Sequence, residues 1–395
     1  MRKHKFMRIL AIVLLLTAFL SSSTGVFAKT ILQTDVLNNF QMGIVDIDLN
    51  EYQEKKNGTE TEYTNDLEVW PGRTISKIPR VKNKGADAYI RIRVDINDEN
   101  IKSDAHLTED NISGWNKDLV KRGNYYYYTK VLKNGQSFDI FEKVTIPTEW
   151  DSEASKQKFD IKINVDAIQS KNFSPDFDLK EPWGNVEIQE CIHEDGYDFN
   201  TLKKADNQRL SVTLLHKATD LISSPKDFFV NLPYLMPGDI MTDRVTLRNN
   251  YDKPVNLYFG SIASKSGTVL DHMYAKIYIK LPNGYENLIY EGKLNTDMQY
   301  RLLTTINAGQ QGELIFTVSV PTTVDNKYAL QKGNIKWLFM AEFEEDKPVI
   351  NQIPPTHIWK TGDSGLAPYL IVMVLSGIGL IYVLAAIKRE RSNNL

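Results

Sequence analysis

Strict alternation of apolar and polar residues over short segments is the feature that most constrains the fold of this 395-residue chain. The clearest segments are Ile44–Leu49, Ala88–Ile96, Phe159–Val165 and Ala275–Leu281. A period of two places successive side chains on opposite faces of a strand, so each segment is predicted as a strand with one buried face. Turn signals such as Asn134-Gly135 separate the segments, and long amphipathic helices are missing between them. We therefore predict an all-β body of jelly-roll or immunoglobulin-like β-sandwiches.

The turn residues recur at matching distances, which indicates an internal repeat. The interval from the Gly of a Pro-Gly pair to a following Asn is the same in Gly72 to Asn83 and in Gly238 to Asn249. Two further intervals recur, and the first of them starts from a Gly that is followed by Gln. Gly135 is as far from Pro147 as Gly309 is from Pro321, and Pro147 is as far from Ala167 as Pro321 is from Ala341. Three equal spacings in one order predict duplicated domains.

The repeat sets the predicted domain boundaries. We predict two tandem sandwich domains at residues 34–172 and 208–346, with an interdomain segment at 173–207. That segment is too long for a turn, so it is predicted to pack in part as a strand or a covering loop. Residues 347–365 contain three prolines and are predicted to form a stalk.

The N-terminal segment 1–28 has the layout of an export signal. A basic start precedes the apolar run Ile9–Leu20, and small residues then lead to Val26-Phe27-Ala28. Such a run is short for a membrane span, so residues 1–28 are predicted as a signal peptide cleaved after Ala28. An uncleaved N-terminal anchor is the alternative.

Near the other end, residues 366–387 form a stretch without a charged side chain, and a basic tail follows at 388–395. The stretch is long enough to span a bilayer, and basic residues stay on the cytoplasmic side. We predict one C-terminal transmembrane helix, with the body outside the cell and the tail inside.

A short motif precedes this stretch. Lys360-Thr361-Gly362 matches the end of the Leu-Pro-x-Thr-Gly sorting signal of sortase substrates, whereas Ile358 and Trp359 replace its Leu and Pro. The resemblance implies cleavage between Thr361 and Gly362, with sortase and either peptidoglycan or pilus subunits as partners. A membrane stalk that keeps a relict motif is the other interpretation.

Charge and cysteine content exclude several classes of protein. The net charge is −3, but residues 1–28 carry four more basic than acidic side chains and residues 388–395 carry three basic and one acidic, which leaves −9 for the body. An acidic body argues against nucleic acid as a partner. The single cysteine excludes a disulfide framework and a Cys-based zinc site.

Blocks in the first domain carry a family resemblance. They are Asn39–Leu49, Trp70-Pro71-Gly72, Pro79–Gly85 with Ala88–Arg91, Gly123–Tyr128, Val144–Pro147 and Ala167–Gln169. Together they resemble the TasA/camelysin family of exported Gram-positive surface and biofilm-matrix proteins, and the second domain resembles a divergent copy. The resemblance implies a jelly-roll-like sandwich, export and self-assembly into fibres by exchange of an N-terminal strand, which by position is Lys29–Leu37. A C-terminal span is not part of that pattern.

No catalytic constellation is recognisable. The chain has six histidines, none in an H-E-x-x-H motif, and it lacks a Gly-rich phosphate loop. Cys191, His193 and Glu194 lie close together, but in an interdomain segment such a set is more typical of surface residues than of metal ligands. We predict no catalytic, cofactor-binding or metal-binding residue, and no cofactor.

Two kinds of side-chain cluster have both a functional and a structural explanation. Asp46-x-Asp48-x-Asn50 and Asp95–Glu99 have calcium-loop features, although strand alternation or turn chemistry accounts for them. Tyr125–Tyr128 could form a binding surface, but alternation in a strand predicts that half of these rings enter the core.

These observations predict a non-enzymatic structural or adhesive protein of the bacterial cell surface, held by the span or linked to the wall through Thr361. An exported camelysin-like metallopeptidase and a ligand-binding surface receptor are the alternatives.

Overall fold

The computed structural model describes residues 29–344 except 66–68, 102, 152–153, 155–157, 190–195 and 217–219. Among these residues no helix is long and apolar enough to cross a membrane. The predicted signal peptide (1–28), stalk (347–365), transmembrane helix (366–387) and tail (388–395) lie outside the described residues. Residues 31–341 form one compact unit; of a second unit, residues 1–30 and 342–395, only 29–30 and 342–344 are described.

The described chain is all-β, as its alternation predicts. Up to residue 169 its strands are β1 (Lys29–Gln41), β2 (Ile47–Glu54), β3 (Glu60–Glu62), β4 (Thr74–Ser76), β5 (Ile78–Asn83), β6 (Ala88–Asn97), β7 (Ile112–Ser113), β8 (Leu119–Arg122), β9 (Tyr125–Leu132), β10 (Ser137–Asp139), β11 (Lys143–Thr145) and β12 (Asp160–Gln169). One short 3-10 turn lies at Glu109–Asn111.

The later strands are β13 (Leu210–Leu214), β14 (Leu221–Ser224), β15 (Ile240–Asn249), β16 (Val255–Ile262), β17 (Tyr274–Lys280), β18 (Glu286–Lys293), β19 (Met298–Ile306), β20 (Gln311–Ser319) and β21 (Lys332–Glu344). Short 3-10 turns lie at Phe199–Thr201, Val269–Asp271 and Asn326–Tyr328. Of the four alternating segments, three coincide with β6, β12 and β17, whereas only the second half of Ile44–Leu49 is a strand.

The first sandwich has three sheets, with strand orders β10-β5-β2-β3, β4-β11-β7 and β12-β6-β9-β8. β6 lies between β12 and β9, and its inward side chains Ile90 and Ile92 are fully buried. They join Phe141, Val144 and Trp150 in one apolar core. Burial of that surface stabilises the sandwich.

The second sandwich has two sheets, with orders β1-β21-β16-β19 and β14-β13-β15-β20-β17-β18. An aromatic cluster fills the space between them. The ring of Phe316 on β20 lies 5.8 Å from Phe259 on β16 and 5.4 Å from Trp337 on β21. All three side chains are buried, so the sheets pack face to face through these rings.

A buried asparagine occupies the same place in each sandwich, as the predicted repeat requires. Asn83 donates from Nδ2 to Leu132 O at 2.8 Å and to Ala86 O at 2.9 Å, and its Oδ1 accepts from Gly85 N at 2.9 Å.

Asn249 forms the same set in the second sandwich. Its Nδ2 donates to Ile306 O at 2.9 Å and to Lys253 O at 2.7 Å, and its Oδ1 accepts from Tyr251 N at 2.9 Å. The backbone N–H of each asparagine also donates to the backbone carbonyl of the Gln in the following Gly-Gln turn. Each asparagine therefore ties the end of one strand to the turn between two others.

The position of β1 differs from the predicted boundary. Residues 34–41, which the sequence assigns to the first domain, form part of β1, and β1 pairs with β21 at the edge of a sheet of the second sandwich. Alternation predicts that a segment is a strand but not which sheet it joins, because pairing is a non-local choice.

The start of the predicted interdomain segment covers the first sandwich. Phe173, Phe177 and Trp183 pack on the outer face of the β12-β6-β9-β8 sheet, with ring centroids 5.9–6.5 Å from Tyr89 or Tyr127. Trp183 is 3% exposed. Both faces of this sheet are therefore covered where the segment lies.

Candidate functional site: the seat of strand β1 and the joint

Strand β1 places one face in the core of the second sandwich. Val36, Asn38 and Phe40 are 1%, 0% and 3% exposed, and the Phe40 ring lies 5.0 Å from that of Phe229. Their spacing of two residues puts them on one face of the strand. We call the surface that receives them the seat of β1.

The other face of β1 is solvent-exposed. Ile31 is 54% exposed and Leu37 is 44% exposed, and between them Asp35 lies 3.2 Å from Lys336 on β21. At the start of the strand, Lys29 Nζ lies 2.6 Å from Glu342 Oε1. β1 is thus an edge strand with one apolar face, and it covers the edge of β21.

Polar contacts hold the end of β1. Asn38 Oδ1 accepts from Phe228 N at 2.6 Å, and Asn39 donates from N and Nδ2 to the Asp227 carboxylate at 3.4 and 3.3 Å. Gln41 Oε1 accepts from Lys203 N at 2.9 Å. Because a buried polar group without a partner is costly, these contacts favour one register of β1 in its seat.

Two titratable groups lie near this end of the strand. Burial lowers the pKa of Lys203, although the nearby Asp227 and Asp243 carboxylates act to raise it. Burial raises the pKa of Asp243, although its hydrogen bonds from Asn231 and from Arg244 N act to lower it. Desolvation disfavours the charged form of both groups. Lys203 contacts β1 directly, because its backbone N–H donates to Gln41 Oε1, so this region is suited to holding β1.

The joint is the set of contacts between the end of β12 and the Pro237-Gly238 turn. Asp239, 1% exposed, accepts from Lys171 Nζ at 2.6 Å, from Asn172 Nδ2 at 2.7 Å and from Met236 N at 2.9 Å. A buried carboxylate is stable only when it is paired and hydrogen-bonded, and Asp239 meets both conditions. The joint therefore fixes the end of the first sandwich to the start of the second.

A cavity of about 650 Å³ opens beside the joint. Its walls include the carboxylates of Asp46, Asp166, Glu187 and Asp325 and contain no lysine or arginine among the described residues. Asp46 accepts from Tyr197 Oη at 2.8 Å, and Asp166 accepts from Arg91 Nε at 2.8 Å. At least two of these carboxylates are thus engaged by the protein itself.

We expect Asp239→Ala to loosen the joint, since it removes the acceptor of the Met236 N–H and the partner of Lys171. The free energy of local opening should fall by about 1–3 kcal/mol, the cost of leaving a buried donor without a partner. Hydrogen exchange at Met236 measures it. Asp252→Ala, in an exposed turn, is the matched control; equal protection in both variants would show that other contacts hold the joint.

The tyrosine run is not an open binding surface. Tyr126 stacks on Trp115 with ring centroids 4.3 Å apart, and Tyr128 stacks on Phe138 at 4.0 Å. On the other face, the Tyr127 ring lies 5.9 Å from Trp183 of the covering segment. Tyr126 and Tyr128 are partly buried and pack against the core of the first sandwich, on the face that alternation predicts, and the covering segment accounts for the burial of Tyr127.

The two acidic clusters are engaged within the protein. Asp46 and Asp48 lie 3.4 and 2.8 Å from Lys84 Nζ, and Asp98 Oδ2 accepts from Leu107 N at 2.6 Å. Among the residues that the structure describes, no group of three or more His, Cys, Asp or Glu side chains is placed to hold a metal ion.

Several predicted positions lie outside the described residues. They are Ala28, Cys191, His193, Glu194, Thr361 and Gly362. The candidate functional residues that sequence reasoning missed are those of the seat and the joint: Asn38, Asp227, Lys171, Asn172 and Asp239. The repeat gave one indication of the joint in the sequence, because Asp239 directly follows the second Pro-Gly pair.

Comparison with known proteins does not place the chain in a family. No family model matches it, and no curated protein matches it. Solved structures similar to it include the infectious bursal disease virus VP2 subviral particle (TM-score 0.19, 10% identity, 80% of this chain and 72% of that chain). Another is the CupB6 tip adhesin from Pseudomonas aeruginosa (TM-score 0.16, 8% identity, 70% of this chain and 90% of that chain). At such TM-scores neither similarity bears on the function of this chain.

Proposed function

We propose that this chain is a non-enzymatic structural or adhesive protein of the bacterial cell surface, built from jelly-roll-like sandwiches of the TasA/camelysin type. The observation that carries the proposal is the position of β21. This strand leads to the predicted stalk, and it lies inside its sheet because β1 covers one side and β16 the other. A strand hydrogen-bonded on both sides is suited to carry tension from an anchor.

Packing of the same strand supports this role. Trp337 and Phe339 of β21 are both 1% exposed, and the Trp337 ring lies 5.3 Å from that of Phe259. Extraction of β21 would expose these rings as well as break two ladders of hydrogen bonds. The joint adds an ion pair between the exposed Lys171 and the buried Asp239, so a force on the second sandwich is transmitted to the first.

Anchoring follows from the C-terminal motif. In this proposal the chain is exported, its signal peptide is cleaved after Ala28, and it is held at the envelope by residues 366–387 or by a covalent bond from Thr361. Sortase and peptidoglycan or pilus subunits are the partners in the second case. The acidic body and the engaged acidic clusters give no support to nucleic acid or metal ligands.

The wall linkage has a direct test in the native host. If Thr361 is joined to the wall, the protein should resist extraction by boiling detergent and be released by muramidase. Thr361→Ala should move nearly all of it to the detergent extract, because the residue that sortase would join to the wall is lost. Thr356→Ala, a threonine outside the motif, is the control.

Restoring the missing proline sharpens this test. Trp359→Pro brings the motif closer to the sorting pattern and should raise the wall-linked fraction if a sortase uses the site. Complete extraction of the wild type and of Trp359→Pro by detergent alone would exclude covalent linkage and leave the membrane span as the anchor.

A further inference from the structure

The cavity beside the joint has walls from both sandwiches and from the segment between them. Its main wall stretches are residues 42–47, 165–169, 186–189 and 322–326. Asn326 Nδ2 donates to Gln189 O at 3.3 Å, so residues 186–189 lie beside the loop at 322–326 along one side of the cavity. The volume of about 650 Å³ lies within the usual range for small-molecule sites, so the cavity can hold a small organic ligand.

Apolar side chains form much of the cavity wall. Val45, Ile168, Phe173 and Val186 line the cavity, and each of them is only partly buried. Ile188 also lines it and is 36% exposed. Release of water from such surface favours the binding of an apolar group. A ligand that fits this wall is therefore expected to have an alkyl or aryl body.

The charged residues of this wall are all acidic within the part of the chain that the structure describes. Asp46 and Asp166 already have partners, whereas Glu187 and Asp325 are exposed residues on the two stretches that the Asn326 contact joins. Asp325 accepts from Lys327 N at 2.8 Å, and its second oxygen lies 3.8 Å from Lys327 Nζ, beyond hydrogen-bond distance. Carboxylates in a cleft without a basic side chain attract cations and repel anions. The expected ligand is therefore positively charged as well as apolar.

We propose that this cavity binds an organic ammonium ion, which is an amine with an alkyl or aryl body, either as a free molecule or as the side chain of a lysine in a peptide. The ammonium group pairs with the carboxylates of Glu187 and Asp325, and the body packs on Val45, Ile168 and Phe173. The proposal goes beyond the structural or adhesive role. It needs neither wall linkage nor the seat of β1, so its failure would leave that role intact.

Methionine methyl groups give a site-specific test in the full-length protein purified in detergent. Met42 and Met236 line the cavity, whereas Met273 and Met298 are buried elsewhere in the second sandwich. In protein labelled with carbon-13 at the methionine methyl groups, benzylamine should shift the NMR signals of the first pair through its ring current and leave those of the second pair in place. Benzyl alcohol, an uncharged control of the same shape, should shift them far less. Equal shifts with the alcohol, or no shift with the amine, would overturn the proposal.

Removal of charge tests the role of the carboxylates. Glu187→Gln and Asp325→Asn keep the shape of each side chain, and each should weaken benzylamine binding about threefold and both together about tenfold, as expected for exposed charge pairs. Asp252→Asn, in an exposed turn, is the matched control and should leave binding unchanged. An unchanged Met273 signal in each variant verifies the fold. Equal affinity of the doubly substituted protein and the control would contradict the assignment.

A competition experiment separates the two sources of the ammonium group. Displacement of benzylamine by Nα-acetyl-lysine methylamide would support a lysine side chain as the ligand, because this compound has the backbone of a peptide on both sides of the residue. Benzylamine binding that this compound does not compete with would support a free amine.

Discussion

Deletion of residues 29–41 is expected to unfold the second sandwich while the first remains folded. Val36 and Phe40 of β1 are buried in the second core, and removal of a buried Phe side chain alone costs about 3–5 kcal/mol. Loss of the whole strand also leaves β21 with an open edge and Phe228 N without its acceptor. Together these losses would remove most of the free energy of unfolding of a typical domain, which is about 5–15 kcal/mol.

Hydrogen exchange measured by mass spectrometry on the 29–346 body and on a body starting at residue 42 distinguishes the two sandwiches. Peptides of β16 and β21 should lose protection, whereas peptides of β6 should keep it. A synthetic peptide of residues 29–41 should restore protection if the seat accepts a strand supplied by another molecule, as strand exchange requires.

Two peptide variants make this result specific. A peptide with Phe40→Ala should fail to restore protection, because its main anchor is missing, and one with Leu37→Ser should succeed, because Leu37 is 44% exposed. If the shortened body keeps full protection in β21 without any peptide, the seat does not need β1, and the argument that β21 carries tension from an anchor loses its support.

Asn249→Ala is expected to be the most damaging single polar substitution in the second sandwich. Asn249 is 1% exposed and forms three side-chain hydrogen bonds, to Ile306 O, Lys253 O and Tyr251 N. Alanine leaves these groups without partners, at about 1–3 kcal/mol for each that stays buried. The expected loss of unfolding free energy is therefore about 3 kcal/mol or more.

Urea denaturation gives this loss, and the adjacent Asn250→Ala is the matched control because Asn250 is exposed; it should change stability by less than about 0.5 kcal/mol. Asn83→Ala should weaken the first sandwich in the same way, since its hydrogen bonds are equivalent. If Asn249→Ala lowers the free energy of unfolding no more than the control does, water replaces the amide, and the hydrogen bonds of Asn249 do not stabilise the sandwich.

Much of the fold was predictable because it depends on local pattern. Alternation over Ala88–Ile96 and Ala275–Leu281 predicted β6 and β17, since a period of two has one simple structural meaning. Equal spacing of Gly72 to Asn83 and Gly238 to Asn249 singled out two asparagines, and both side chains are buried and form corresponding hydrogen bonds.

The candidate functional residues were less predictable because they depend on contacts between distant segments. Nothing in the sequence near Asp239 indicates that Lys171 lies 2.6 Å away, and nothing near Asn38 points to Phe228 N. The polar residues of the seat and the joint resemble ordinary surface residues until their hydrogen-bond partners are known.

The sequence by itself determined that the described chain is all-β, because side-chain alternation is a property of adjacent residues; the duplication that the turn spacing indicates stays a prediction. Tertiary structure decided that β1 leaves the domain it precedes and completes a sheet of the other. A strand joins whichever edge offers both backbone partners and an apolar face in register, and only the assembled sandwich defines that edge.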